Sequence, residues 1–270
     1  MVDYSRFAKA NLLVQVQDNI ATMTIDRPER MNATTPELHV ALEDVLVALN
    51  HDERVRCAIL TGTGNRAFSA GGDVKNAAKL ADSNQRKPLG GIIRNGKWLI
   101  QHFLNCEVPI IGALNGDAVG FGATLALMCD ITIMSEMARI GDTHVKMGLV
   151  AGDGGALMWP YLIGMNRAKE LLMTGRLVKA QDAERYGLVN FVVPSDQVMP
   201  KAMELARELA AGAPMAVKWT KQSLNQHIWQ EMVNTHHFST AVESLTSITE
   251  DKKEAARAFV QKRTPVFKNH

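Results

Sequence analysis

The sequence predicts an α/β fold in which helices and short strands alternate up to about residue 194, followed by a helical section without strands. Three observations lead to this prediction. Two segments near the N-terminus alternate apolar and polar residues at the period of a strand. Short apolar runs then recur between segments of helical period. Beyond residue 194 the β-branched runs end. We therefore divide the chain into a core over 1–197 and a C-terminal helical section over 198–270.

The first elements are a hairpin, a helix and a strand. Residues 12–26 alternate on both sides of a central turn, which predicts two antiparallel strands. Residues 34–36 then open a helix, with Thr34 and Glu37 at the spacing of a capping box and a proline in the first turn. Residues 57–60 form an apolar run that predicts a buried strand.

The remaining elements continue the alternation. We expect strands at 109–114, 131–134 and 188–193, and helices at 97–104, 122–129, 156–162 and 168–174. In the C-terminal section, helical periodicity extends over 198–211, 214–230 and 251–261. A long helical section without strands is typical of an element that joins subunits or covers a site.

Composition and charge exclude several classes of protein. The chain has 270 residues, of which 46% are hydrophobic and 21% are charged, as is usual for a globular protein. Thirty basic residues against 28 acidic ones leave a net charge of +2, which argues against binding nucleic acid through counterion release. The N-terminus does not resemble a signal peptide, and the apolar runs are shorter than the ~18 residues of a membrane span. We expect a cytoplasmic protein without membrane or nucleic-acid partners.

The cysteines and the first glycine motif indicate no metal and no nucleotide. Cys57, Cys106 and Cys129 are scattered without the spacing of common zinc sites, and unpaired thiols fit a reducing compartment. Residues 62–67 match a loose G-x-G-x-x-A template. A dinucleotide site would need a long helix directly after it, but adjacent glycines at 71–72 follow instead. We therefore expect neither a metal nor a separate cofactor.

Two glycine-containing turns, at residues 67–73 and 115–122, follow predicted strands. Glycine lets the backbone approach a ligand closely, and free N–H groups in such turns can bind an oxyanion. Turn geometry alone would also explain either segment.

Five stretches of the chain carry a more specific pattern. They are AFSAGGDVK at 67–75, DRPERMNA at 26–33, residues 109–130 with NGDAVGFG at 115–122, residues 180–194, and residues 250–267. In their order and spacing along the chain, they resemble the enoyl-CoA hydratase/isomerase (crotonase) superfamily. The resemblance implies a crotonase-like superhelix of stacked ββα turns. It also implies that the C-terminal helices assemble a homotrimer or a hexamer.

The resemblance implies an acyl-CoA thioester as the substrate, with CoA as part of that substrate. By motif position, the thioester carbonyl would lie between the backbone N–H groups of Gly72 and Phe121. Two such donors would stabilise the enolate that forms when charge moves onto the thioester oxygen. The residues implied along the CoA path are Ala70, Gly71, Gly72, Asp73 and Val74, with Arg30 near the CoA phosphates.

The chain departs from the family's pattern where the chemistry is done. Thr124 and His144 stand where typical hydratases carry two glutamates, so water addition by two carboxylates is not available. Histidine can transfer a proton near neutral pH, and Asp153 could fix its tautomer. A buried structural histidine and a helix N-cap are the alternatives for His144 and Asp153. Phe121 replaces a glycine, which introduces a ring beside the acyl pocket.

Three functions are compatible with these residues. In an enoyl-CoA hydratase-like enzyme, His144 oriented by Asp153 would activate water, and Thr124 would help to place it. The proton to Cα would come from the same His144 or from a water. The His–Asp spacing also resembles the branch of the superfamily that contains 6-oxocamphor hydrolase, which implies hydrolysis of a carbon–carbon bond in a β-diketone. Loss of both glutamates is compatible as well with an acyl-CoA-binding protein without catalysis.

Overall fold

The computed structural model describes residues 2–73 and 98–269. Its strands form two β-sheets. The larger sheet has the order β1 (Leu12–Gln17), β2 (Ile20–Ile25), β3 (Cys57–Gly62), β5 (Ile110–Leu114), β7 (Ile131–Ser135) and β10 (Phe191–Val193). The smaller sheet has the order β4 (Ala67–Ser69), β6 (Asp117–Val119), β8 (Arg139–Gly141) and β9 (Val178–Lys179). The β1–β2 and β8–β9 pairs are antiparallel, and the other pairs are parallel.

Helices connect these strands and make up most of the described C-terminal section. They are α1 (Pro36–Asn50), α2 (described over 98–105), α3 (Phe121–Leu127), α4 (Gly155–Ile163), α5 (Met165–Thr174), α6 (Ala180–Tyr186), α7 (Val198–Ala211), α8 (Pro214–Glu231), α9 (His237–Thr246) and α10 (Glu250–Gln261). A π-helical turn, Met232–His236, joins α8 to α9. Within residues 2–73 and 98–269, no helix is both long and apolar enough to cross a membrane.

Successive turns of the chain contribute one strand to each sheet. The strand pairs β3–β4, β5–β6 and β7–β8 follow one another, and α3 comes directly after β6. This confirms the predicted superhelix of ββα turns. Because β4 and β6 are parallel neighbours, the glycine-containing turns that follow them lie at the same edge of the smaller sheet. The fold thereby brings together two segments that are far apart in sequence.

The first C-terminal helix packs directly on the larger sheet. Small apolar side chains recur every four residues along α7 and contact isoleucines on one face of the strands; the set comprises Val198, Ala202, Ala206 and Ala210 against Ile20, Ile59, Ile111 and Ile133. Small side chains at this spacing let a helix lie close to its neighbour. The division of the chain at residue 197 stays a prediction.

Three local details differ from the sequence predictions. Thr35, rather than Thr34, caps α1 by accepting a hydrogen bond from the Leu38 amide at 3.2 Å. The Thr34 hydroxyl instead donates to the carbonyl oxygen of Gly71 at 3.2 Å. Helices α6 and α9 and the strands of the smaller sheet were not predicted. Those strands have only two or three residues, which is too short for a period-two pattern.

Candidate active site

The glycine loop after β4 is held by backbone hydrogen bonds to Thr34. The Thr34 amide donates to the Gly71 carbonyl at 2.7 Å, and the Asp73 amide donates to the Thr34 carbonyl at 3.2 Å. In strand-like pairing, alternate amides point to opposite sides, so the Gly72 N–H points away from Thr34. Among the described residues, a Cβ added to Gly72 would meet nothing within 4 Å. The Gly72 amide is therefore not used in the pairing with Thr34, which is compatible with the oxyanion hypothesis.

Asn32 fixes the segment that supports this loop. Its side chain is 1% exposed. Its amide nitrogen donates to the carbonyl oxygens of Thr63 at 3.0 Å and Ala67 at 2.7 Å, and its amide oxygen accepts from the Arg27 backbone at 3.0 Å. The Arg27 guanidinium also lies 3.4 Å from the carboxylate of Asp73. The loop is thus anchored by a buried amide rather than by loop residues alone.

The second glycine turn presents the amide of Phe121 beside the first. Gly120 has a φ of +57°, a conformation that glycine adopts readily, and Phe121 begins α3. Amides in the first turn of a helix have no acceptor within that helix. A Cβ on Gly71 would lie 3.0 Å from the Phe121 nitrogen, so the two glycine turns are in contact. The structure therefore brings together the two donors that the sequence predicted.

The ring of Phe121 is turned toward α1. It stacks on the His39 imidazole with a centroid separation of 5.1 Å and an interplanar angle of 14°. The Nδ1 atom of His39 lies 3.2 Å from a carboxylate oxygen of Glu43, one turn further along α1. An aromatic pair of this geometry holds the start of α3 against α1.

His144 lies between two buried carboxylates. Its Nδ1 atom is 2.6 Å from Oδ1 of Asp142, and its Nε2 atom is 3.1 Å from Oδ2 of Asp153. The Thr124 hydroxyl donates to the other oxygen of Asp153 at 3.1 Å. Asp153 does not cap α4, whose N-cap is Gly154 without a side-chain hydrogen bond. The predicted residues Thr124, His144 and Asp153 are therefore in one hydrogen-bonded cluster.

This cluster holds a proton on His144. Burial alone would favour the neutral imidazole, but the charges of Asp153 and Asp142 outweigh it and raise the pKa of His144 well above its ordinary value. Burial likewise disfavours an ionised Asp153, yet the neighbouring charge of His144 and its hydrogen bonds keep the pKa of Asp153 below its usual range. At neutral pH the pair is an imidazolium and a carboxylate.

Two further carboxyl groups of the site were missed from the sequence. Asp142 accepts hydrogen bonds from both the ring and the backbone amide of His144, and its other oxygen lies where a Cβ on Gly155 would be. Glu243, on α9, is 7% exposed, and burial followed by the charge of Asp153 raises its pKa to about 8. For Asp142, the only signal in the sequence was its i, i+2 spacing from His144. No local sequence feature indicated Glu243.

The predicted CoA-binding residues fall into three groups. Ala70, Gly71 and Asp73 lie in the anchored loop, where the Ala70 amide donates to the Met31 carbonyl at 2.9 Å. Arg30 lies in the exposed 3₁₀ turn Pro28–Arg30. Val74 is outside the described residues.

The cluster also has the composition of a possible cation site. One ligand atom from each of Asp142, His144 and Asp153 lies within 4.8 Å of the others. Each ring nitrogen of His144 already faces a carboxylate oxygen at hydrogen-bond distance, which is the geometry of an imidazolium between two anions. The expectation that the protein needs no metal stays a prediction.

Comparison with known proteins identifies the family. A family model described as enoyl-CoA hydratase/isomerase matches residues 15–270. The chain belongs to the enoyl-CoA hydratase/isomerase family. It is 35% identical to the short-chain-enoyl-CoA hydratase of Clostridium acetobutylicum, over 94% of this chain and 95% of that protein. It is 31% identical to the crotonyl-CoA hydratase of Syntrophomonas wolfei, over 96% and 98% of the two chains.

Solved structures agree with the sequence comparisons. The crystal structure of an enoyl-CoA hydratase/isomerase from Mycobacterium paratuberculosis superposes with a TM-score of 0.84 at 33% identity, covering 92% of this chain and 98% of that one. The predictions of a crotonase fold and of a hydratase-like enzyme acting on an acyl-CoA thioester are therefore confirmed. The two positions at which the sequence analysis expects the family's glutamates hold Thr124 and His144 in this chain.

Proposed function

We propose that this member of the enoyl-CoA hydratase/isomerase family adds water to a 2-enoyl-CoA through an oxyanion hole made by the amides of Gly72 and Phe121. The observation that carries the proposal is the contact between the two glycine turns, where a Cβ on Gly71 would lie 3.0 Å from the Phe121 nitrogen. This contact supports an oxyanion hole to which both turns contribute an amide. The ring of His144 is adjacent, since its Cε1 atom lies 3.9 Å from the position of a Cβ on Gly120. Charge developing on the thioester oxygen would meet two fixed donors.

The protonation of the cluster supports a division of roles between His144 and Asp153. The sequence alone suggested His144 as the base, but a protonated imidazole cannot accept a proton from water. We assign that step to the carboxylate of Asp153, with the Thr124 oxygen accepting a hydrogen bond from the same water. Water bonds to Cβ, its proton passes to Asp153, and His144 donates a proton to Cα. Transfer from Asp153 to His144 then restores the starting state.

The test is the ultraviolet absorbance of crotonyl-CoA, which falls when water adds to the conjugated double bond. The purified protein is expected to remove this absorbance, and Asp153→Asn is expected to lower kcat by about 10²-fold because the amide cannot accept the proton. Asp182→Asn, an exposed aspartate on α6, is the matched control. Absence of turnover with crotonyl-CoA and with bulkier enoyl-CoAs would contradict the proposal.

A second candidate reaction is hydrolysis of a carbon–carbon bond in a β-diketone. It is favoured by the 3.1 Å contact between His144 and Asp153 in place of two glutamates. The oxyanion hole would serve either reaction, since an enolate forms in both. Turnover of a β-diketone that lacks CoA, without turnover of enoyl-CoA, would select this alternative.

We propose a homotrimer or hexamer with contacts through the C-terminal helices. Large apolar side chains are exposed along α8, α9 and α10, among them Trp219, Leu224, Phe238, Leu245 and Phe259. Apolar surface of this extent is typical of a covered interface. Light scattering on the purified protein is expected to give three or six times the mass of one chain. A monomer at micromolar concentration would contradict this proposal.

We also propose that the enzyme works without a metal ion or separate cofactor, in the cytoplasm. The free thiols of Cys57, Cys106 and Cys129 are all buried and fit a reducing compartment. Dialysis against a chelator is expected to leave kcat unchanged. Loss of activity that divalent cations restore would instead place an ion on Asp142, His144 and Asp153.

A further inference from the structure

Helix α9 reaches the loop that carries Asp153. The Ser239 hydroxyl donates to the carbonyl oxygen of Gly152 at 3.3 Å. A Cβ on Gly152 would lie 2.7 Å from Cβ of Glu243 and 2.8 Å from its Oε2 atom. Glu243 therefore occupies space that is open only because the residue before Asp153 is a glycine. Its carboxyl group is packed against the reacting cluster, although it comes from the C-terminal section.

The Glu243 carboxyl group is buried, and its hydrogen bonds do not fully replace those that it would make to water. Its side chain is 7% exposed, and among the described residues its Oε2 atom has no hydrogen-bond partner. The titratable groups that face Glu243 or its neighbours are Asp142, His144 and Asp153 across the loop, Lys252 on α10, and His236 in the π-helical turn. Lys252 is itself buried enough for desolvation to lower its pKa. An ionised Glu243 would add another negative charge to a cluster that already holds two carboxylates.

Burial is the main reason that Glu243 keeps its proton. Desolvation, with the charge of Asp153 next in size, raises its pKa to about 8, while His144 and Lys252 oppose the shift. At neutral pH the cluster then contains one imidazolium, two carboxylates and one neutral acid. In alkaline solution Glu243 ionises, and the cluster gains a negative charge in a site of low dielectric.

We infer that Glu243 is a positioning residue of the proposed hydratase. When its carboxyl group is neutral, the cluster of Asp142, His144 and Asp153 is active, and ionisation of Glu243 slows the reaction. The inference rests on the proposed function. An extra anion beside His144 makes the imidazolium a weaker acid toward Cα. It also opposes the negative charge that develops on the thioester oxygen. Glu243 acts through His144 and Asp153 and need not touch the substrate.

The first test compares pH profiles of kcat for crotonyl-CoA hydration. The wild-type rate is expected to fall by about fivefold or more between pH 7 and pH 9.5. Glu243→Gln, which stays neutral, is expected to retain its pH 7 rate to within about threefold and to lack this alkaline fall. Glu204→Gln makes the same change on an exposed residue of α7 and is expected to keep the wild-type profile. An unchanged alkaline fall in Glu243→Gln overturns the inference.

A second variant keeps the test decisive if Glu243→Gln does not fold. Lys252→Met removes a cation that favours ionised Glu243, so the alkaline fall is expected to move to higher pH by about half a unit or more. A fall at the wild-type pH in Lys252→Met counts against Glu243.

Carbon-13 labelling of glutamate carboxyl groups separates this inference from the proposed function. One carboxyl resonance is expected to titrate near pH 8 in the wild type and to be missing in Glu243→Gln. If that resonance is present but no enoyl-CoA is hydrated, the proposed hydratase function is contradicted, while the neutral state of Glu243 is supported. If hydration occurs and every carboxyl titrates in the ordinary range, the inference about Glu243 fails alone.

Discussion

Replacing His144 by alanine is expected to lower kcat for crotonyl-CoA hydration by about 10²-fold or more. The imidazolium is the assigned proton donor to Cα, and its loss removes that step. The change also removes the cation beside the buried Asp153, which raises the pKa of that carboxyl group and lowers the fraction that is ionised and able to accept a proton. KM is expected to change less, because the proposed contacts to the thioester come from backbone amides and not from His144.

The matched control is His51→Ala, an exposed histidine at the end of α1. It is expected to keep the wild-type kcat. Thermal unfolding of both variants would show whether lost activity reflects lost structure. A folded His144→Ala enzyme whose kcat stays within about threefold of the wild type would remove His144 from the mechanism.

Replacing Gly122 by alanine is expected to reduce both stability and kcat. The added Cβ would overlap the carbonyl oxygen of Ser69, which is backbone and cannot rotate away. Alanine gains about 1 kcal/mol over glycine in a helix, but overpacking against fixed atoms costs about 2–3 kcal/mol. The overlap is relieved only if α3 and the glycine loop separate. That movement displaces the Gly72 and Phe121 amides, and loss of one oxyanion donor typically lowers kcat by about 10²-fold.

Denaturant unfolding and the crotonyl-CoA assay together measure these two effects. Gly72→Ala serves as the control for stability, because its Cβ would meet none of residues 2–73 and 98–269 within 4 Å and its φ is not positive. It is expected to change the free energy of unfolding by less than about 0.5 kcal/mol. Wild-type stability and kcat in Gly122→Ala would show that contact between the two turns is not needed.

Local patterns predicted the elements that depend on one continuous run of residues. The hairpin of β1 and β2, the buried strand β3 and the helices α1 and α7 lie where apolar periodicity placed them. The smaller sheet was missed because its short strands are defined by pairing with distant partners. Helices α6 and α9 were missed as well. The N-cap of α1 is Thr35 and not the predicted Thr34, because the Thr34 hydroxyl donates a hydrogen bond to the glycine loop.

The same distinction holds within the site. Motif position placed Gly72 and Phe121 together, and the spacing of His144 and Asp153 suggested a pair that the structure shows at 3.1 Å. The sequence did not predict Asp142 on the other ring nitrogen, nor Glu243 beneath the loop. Distance along the chain carries no information about which groups are buried together.

By itself the sequence determined the superhelix of ββα turns, the family, and the residue types available for chemistry. Periodicity, turn residues and motif order can be identified from the sequence without knowledge of tertiary contacts. Only the tertiary structure decided which side chains of the site are protonated. The protonated state of His144 and the neutral state of Glu243 depend on desolvation and on neighbouring charges, which exist only after the cluster is packed. The direction of proton transfer in the proposed reaction follows from that packing.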